Sequence, residues 1–233
     1  MGHLDAVRRA GLDAWAVVLP TECSGCGAPD RSLCEDCRTA LRPAVHPCSR
    51  GDVPVWSGLD YSGVARRVLG AFKDGGRTDA AATLAVPLRL AVAAALAASA
   101  AGGRVPDDRG VHLVTIPSSR KAWRARGFHP VELLLARAGL AGTPVLRQVG
   151  GTTDQVGLGR EARARNRHGS LLARRPLGGF RCVVVDDILT TGATILEARR
   201  AVLEAGGEVL GLATLAETRR LFPAAGHSPG TGR

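Results

Sequence analysis

Val183-Val-Val-Asp-Asp-Ile-Leu-Thr-Thr-Gly-Ala-Thr194 is the stretch on which the fold turns. An unbroken apolar run without alternation suits a central strand covered on both faces. Two adjacent carboxylates, Asp186 and Asp187, close it at the end where open α/β sheets bind their ligands. Thr190, Thr191, Gly192, Ala193 and Thr194 then open a helix, offering hydroxyls, backbone N–H groups and the positive end of the helix dipole to an anion. Gly192 lets the backbone come close without a side chain in the way. Acids beside an anion cradle suit a sugar phosphate: carboxylates accept hydrogen bonds from ribose hydroxyls while the turn holds the phosphate, and a divalent metal can share the neighbourhood. The plainer alternative is a strand followed by a Thr-capped helix with two merely exposed acids. The combination of all twelve residues argues against it.

Outward from this stretch, Thr194 to Ala205 reads as a helix closed by Gly206-Gly207, and Glu208 to Leu215 as another strand. Upstream, Val111 to Ile116 is a short strand broken by Pro117-Ser118-Ser119, and Pro130 to Ala141 is helical. Tyr61 to Leu69 turns into an amphipathic helix ending at Lys73-Asp74-Gly75-Gly76-Arg77, followed by an Ala-rich helix to about residue 101. Strands alternating with helices predict an α/β fold, a parallel sheet flanked by helices. Leu4, Val7, Leu12 and Trp15 lie at helical spacing in a short N-terminal helix that Pro20 stops. The expected organisation is an N-terminal helix and cysteine module over 1–50, the α/β domain over 51–220, and a disordered Gly/Pro/Ser-rich tail over 221–233.

A chain of 233 residues, 45% apolar, supports one substantial core and a small appendage. Aromatics at 3% weaken any reading that needs stacking platforms for single-stranded nucleic acid. The net charge of +10 fits either a polyanion-binding surface or a solvated Arg-rich surface with a local phosphate site. Arg clusters at 120–126 and 160–167, read as loops, favour the second. The apolar run from Ala80 to Gly102 contains Pro87 and Arg89 and reads as a buried helix rather than a membrane span. Asp13 interrupts the N-terminal apolar run, which excludes a secretory signal from this reading and places the protein in the cytoplasm, where thiols stay reduced.

Five of the six cysteines fall between residues 21 and 50. Cys23-x-x-Cys26 and Cys34-x-x-Cys37 form two knuckles, each setting two sulfurs on one side of a tight turn, so that four can close a tetrahedron around Zn²⁺. A closed four-sulfur site has no open position and is structural. An iron–sulfur cluster, or no metal, are the alternatives. Cys48 is close enough to substitute as a ligand; Cys182 begins a buried strand as a small apolar filler.

The Val183–Thr194 segment closely resembles the PRPP-binding motif of type I phosphoribosyltransferases. That resemblance implies that Asp186 and Asp187 hold the ribose hydroxyls and residues Thr190 to Thr194 the 5-phosphate. Ile116-Pro117, Arg120 and Arg124-Ala-Arg126-Gly127-Phe128 resemble the pyrophosphate-side loop of the ComF family, with Thr115 for an expected proline and His129-Pro130 for the usual Asn-Gln. Gln155, Leu158, Arg160, Arg163 and Asn166 repeat a spacing seen in that family, and Lys73 with Gly75 and Gly76 resembles its Lys-aromatic-x-Gly element, with Asp74 in place of the aromatic. A four-cysteine module ahead of a phosphoribosyltransferase-like domain resembles the ComF arrangement. Departing pyrophosphate leaves an oxocarbenium-like ribose and needs positive donors. Asp186, Asp187, Arg160 and Arg163 are the candidates at the reacting centre; Lys73, Ser118, Arg120 and Arg126 join the two acids and Thr190 to Thr194 as candidates for holding PRPP. His129 is a weaker candidate acid or base.

Three functions follow. One is Mg²⁺-dependent transfer or binding of 5-phosphoribose, with no readable acceptor pocket. Another, implied by the family resemblance, is a non-catalytic role in DNA uptake during natural transformation, with single-stranded DNA or competence proteins as partners. Nucleobase salvage is the third, made less attractive by the cysteine module.

Overall fold

The computed structural model describes residues 21–103, 110–149 and 169–219. The helix expected over 1–20, the segment carrying Gln155, Arg160, Arg163 and Asn166, and the tail from 221 lie outside the described residues. In chain order the elements are α1 (Glu35–Ala40), β1 (His46–Arg50), β2 (Val53–Asp60), α2 (Gly63–Lys73), a 3₁₀ turn (Thr78–Ala80) leading into α3 (Ala81–Ala101), β3 (His112–Thr115), α4 (Arg120–Arg126), α5 (Pro130–Arg137), β4 (Gly142–Thr143), β5 (Leu146–Gln148), β6 (Leu171–Ala173), β7 (Arg181–Leu189), α6 (Ala193–Glu204) and β8 (Glu208–Glu217).

Six strands form one sheet in the order β1-β2-β8-β7-β3-β4. Every neighbouring pair is parallel except β1–β2. β5 and β6 pair separately as a small antiparallel ribbon. Alternation along β7 explains its continuous apolar run. Val183 and Val185 face a core layer containing Leu84, Leu88, Ala91 and Leu134, whereas Cys182 and Val184 face a layer with Ile195, Ala198, Val202, Leu146 and Leu171. Both faces are covered, so no position on the strand can be polar until the chain leaves the layers. Each of these fully buried valines contributes about 1.5–3 kcal/mol relative to exposure.

The helix Thr78–Ala101 is long and apolar enough to cross a bilayer. Its Ala81, Leu84, Ala85, Leu88, Ala91, Val92 and Ala95 are buried, and it packs on β2 and β8, so it serves as a core helix. Small residues let it sit unusually close. A Cβ added at Gly58 would lie 2.5 Å from the Pro87 carbonyl oxygen, and one at Gly211 3.0 Å from Ala95 Cβ.

Two local expectations change. The Arg120–Arg126 stretch is a helix, not a loop: the Ser119 side chain accepts from the Ala122 N–H at 3.1 Å, and Gly127, at φ 75°, ends it. Residues 46–60, given no element in the sequence reading, form the β1–β2 hairpin, so the segment up to residue 50 contributes an edge strand to the main sheet.

Candidate functional site

Strand β7 remains paired with β8 as far as Leu189↔Glu217, so Asp186 and Asp187 are held within a paired strand, both half-buried. The Asp187 N–H donates to Asp186 Oδ1 at 2.9 Å, tying the first carboxylate to the backbone. Beyond Leu189, Thr190 and Thr191 form an exposed turn, and the Ala193 N–H donates to Thr191 Oγ1 at 3.3 Å. Gly192, at φ +83°, is the residue before α6, and its carbonyl accepts from the Leu196 N–H at 2.9 Å. Only glycine takes that backbone conformation without strain.

Other segments close around this strand end. A cleft of about 350 Å³ is lined by Asp186, Asp187, Thr190 and Thr194, by Lys73 at the end of α2, by Ser118 after β3, and by Arg126 at the end of α4. Lys73 Nζ lies 2.8 Å from Asp187 Oδ2, with both side chains largely buried. Arg126 reaches Asp74 Oδ1 at 3.4 Å. Thr191, Gly192 and Ala193 shape the turn but do not line the cleft. Arg120 begins α4. Tyr61, Thr115, His129 and Glu132 also line the cleft; only His129 among them had been singled out from sequence. Thr115 Oγ1 donates to Glu132 Oε1 at 3.5 Å. The cleft therefore combines a carboxylate pair, a helix start and two cations from remote segments, the donor and acceptor set a phosphorylated sugar with a second phosphate group requires.

Arg50 and Glu217, passed over in the sequence, sit behind the turn. Arg50 Nε donates to the Thr190 carbonyl at 2.9 Å, and its Nη2 lies 3.3 Å from Glu217 Oε2. The available signal was Gly51-Asp52, a two-residue hairpin turn that puts Arg50 at the tip of β1. Glu217 also meets His46 Nε2 at 3.1 Å, while Asp60 pairs with Arg219 at 2.7 Å. His46, Asp60 and Glu217 are near enough to share a metal ion. Two arginines already balance these carboxylates, so an ion-pair network accounts for the cluster.

The second site is the cysteine module. The sulfurs of Cys23, Cys26, Cys34 and Cys37 all lie within 4.8 Å of one another, with Cys26 and Cys34 at 3.6 Å. A tetrahedron with Zn–S bonds near 2.3 Å has edges of roughly 3.8 Å, so the donor set fits zinc. The second knuckle differs from the expected tight turn: Cys34 precedes α1 and Cys37 lies on its first turn. Gly25 is needed sterically, since a Cβ there would lie 2.5 Å from Cys37 Sγ. Burial works to raise the Cys23 thiol, but N–H groups of Cys34, Gly25 and Cys26 outweigh it and bring it down to about 6. Burial and the surrounding thiols push Cys37 up. Leu33 and Leu41 anchor the module in the same core layer as Ala65 and Val68 of α2, and Arg67 donates to the Gly25 carbonyl.

Residues 150–222 match the family model described as the phosphoribosyl transferase domain. DNA utilization protein YhgH of Salmonella typhimurium is 32% identical over 225 residues, covering 89% of this chain and 92% of that protein. Orotate phosphoribosyltransferase of Pyrobaculum calidifontis is 57% identical over 35 residues, 15% of this chain and 18% of that enzyme. The solved structure of adenine phosphoribosyltransferase from Saccharomyces cerevisiae covers 79% of this chain and 89% of its own, at 16% identity and a TM-score of 0.35. The fold is that of the type I phosphoribosyltransferases, here a mixed sheet flanked by helices, with four cysteines clustered near the N-terminus.

Proposed function

Since the chain belongs to the ComF family, the family of the DNA utilization protein YhgH, we propose that it binds PRPP as the Mg²⁺ complex and transfers or holds its 5-phosphoribose. One observation carries this reading: Asp186, Asp187, Thr190 and Thr194 share a single cleft with Lys73, Ser118 and Arg126, residues far apart in the chain. Asp186 and Asp187 accept from the ribose hydroxyls, and the turn from Thr190 to Thr194 receives the 5-phosphate. Lys73, Ser118 and Arg126 face the pyrophosphate, and Arg120 is a further candidate to bind it. Arg160 and Arg163, outside the described residues, complete the positive set at the reacting centre.

In the transfer step the bond between ribose C1 and the pyrophosphate oxygen breaks, and the electron pair leaves with pyrophosphate. The nucleophile of the acceptor forms the new bond to C1 and gives up its proton to the departing pyrophosphate. Mg²⁺ arriving with the substrate neutralises the polyphosphate charge. Lys73, now paired with Asp187, supplies a cation that can turn to the leaving group. Zn²⁺ held by Cys23, Cys26, Cys34 and Cys37 has no part in chemistry and fastens the N-terminal module, which suits a reducing cytoplasmic setting.

The test is calorimetric titration of PRPP with Mg²⁺ into wild type and into Asp186→Ala/Asp187→Ala. Saturable binding that the double variant loses supports the reading. A second reading has its own support in the net charge of +10 and in the relative's name: a non-catalytic accessory role in DNA uptake, with single-stranded DNA or competence proteins as partners. Absent PRPP binding together with single-stranded DNA binding that falls steeply with salt would favour it.

A further inference from the structure

A buried guanidinium is costly unless every face of it is engaged, so the surroundings of Arg50 show what it holds. Its side chain is only 5% exposed. Nε donates to the Thr190 carbonyl at 2.9 Å, Nη1 to the Ser49 carbonyl at 2.9 Å, and Nη2 to Glu217 Oε2 at 3.3 Å and the Thr218 carbonyl at 3.4 Å. Glu217 is itself steadied by His46 Nε2 at 3.1 Å. Arg50 does not line the cleft.

The geometry of the peptide gives that first bond its consequence. All peptides described are trans, and in a trans unit the carbonyl and the following N–H point in opposite directions. Drawing the Thr190 oxygen towards Arg50 therefore turns the Thr191 N–H away from it. The stem of the same side chain acts two residues further on. A Cβ at Gly192 would lie 2.6 Å from Arg50 Cγ and 2.8 Å from Arg50 Cβ. The head orients one peptide of the turn, and the stem fills the space beside the next glycine.

We infer that Arg50 is the positioning residue of the phosphate turn, and that its bond to Thr190 fixes the orientation of the Thr190–Thr191 peptide within the turn that receives the 5-phosphate of the ligand. The inference rests on the sugar-phosphate reading of the cleft. It assigns a ligand-orienting task to a hairpin tip 140 positions away in sequence.

The test uses the full-length zinc-loaded protein with Arg50→Met, Arg50→Lys and the double variant Arg50→Met/Glu217→Gln. The double variant removes both buried partners, in case an unpaired Glu217 prevents folding of the single one. Ribose 5-phosphate and Mg²⁺-pyrophosphate are titrated separately. Arg50→Met, or the double variant, is expected to lose at least about tenfold in ribose 5-phosphate affinity, with Mg²⁺-pyrophosphate changed by less than about twofold. Arg50→Lys falls between, since it keeps the charge but not the Nε geometry. Equal loss of both probes, no loss of ribose 5-phosphate, or a lysine variant equal to wild type overturns the assignment. Amide hydrogen exchange provides an arm independent of any ligand. Exchange across Thr190–Ala193 should rise about tenfold in the same variants while Val183–Val185 keep their protection. An unchanged turn overturns the inference. If the turn loosens but wild type binds neither probe, the sugar-phosphate reading fails, and with it the link to a phosphate, while the hold on the turn stands.

Discussion

All four thiols of the cysteine module come from residues 23–37, on two knuckles that nearly touch, whereas the cleft gathers its lining from Tyr61, Lys73, Ser118, Arg126, Asp187 and Thr194. The module is local, and its four converging sulfurs form a donor set that fits zinc. The cleft is assembled by the sheet, and its groups arrive where they do because β3, β7 and the helices that follow are fixed by a double-sided core. One region draws its donors from a single short stretch; the other draws them from the sheet order. They should therefore fail differently.

The largest expected effect is on the module. Removing zinc by chelation, or by Cys34→Ser, should lower the melting temperature by at least about 10 °C, because structural zinc contributes about 10–16 kcal/mol in isolated finger peptides. Elemental analysis should find one zinc per chain in wild type. A zinc-free protein that melts unchanged would break the contrast. The cleft should respond in affinity instead. Asp187→Asn should weaken PRPP binding about a hundredfold and Lys73→Met about tenfold, with melting shifted by only a few degrees, since each loses one charge-assisted hydrogen bond at the wall of the cleft.

Two glycines sharpen the comparison. Gly25→Ala meets Cys37 Sγ first and then Cys37 Cβ and Val64 Cγ1, all at the module, so it should lower zinc affinity and spare the cleft. Gly192→Ala meets both a left-handed backbone, costing about 1–3 kcal/mol, and the pinned stem of Arg50, so it should cost stability and ribose 5-phosphate affinity together. The smallest effect is in thiol labelling at pH 8. Burial pushes Cys182 up to about 12; burial and then Glu217 do the same for Cys48. Both should stay unreactive as thiols, and chelation should release only the four module cysteines to Ellman's reagent.

What could be read in the sequence follows the same division. The Cys-x-x-Cys pairs and the Val183–Thr194 stretch are contiguous codes, in which spacing alone determines which groups can converge. Strand β7, the turn and α6 were legible for that reason. The helix Arg120–Arg126 was not, because its arginine density drew attention from the Ser119 cap and the Gly127 stop that define it. The β1–β2 hairpin was signalled only by Gly51-Asp52, between segments interrupted by Pro47 and Pro54. Gly51-Asp52 marks Arg50 as the tip of a strand but says nothing of its partner: a buried ion pair between positions 167 apart is a property of the sheet order, which places β2 beside β8.

The near-contact of α3 with the sheet has a consequence for how such chains can diverge. Gly58 faces the backbone of Pro87 with no room for a methyl group, and Gly211 faces Ala95, where a methyl group would need the helix to give by a few tenths of an ångström. Enlarging Gly58 demands that the helix shift away from the sheet, which would open gaps along Leu84, Leu88 and Ala91, and enlarging Gly211 presses on the same helix more mildly. Substitutions at 58 and 211 should therefore appear in descendants only alongside changes on the facing turn of the helix, a covariation that sequence comparison across the lineage can count.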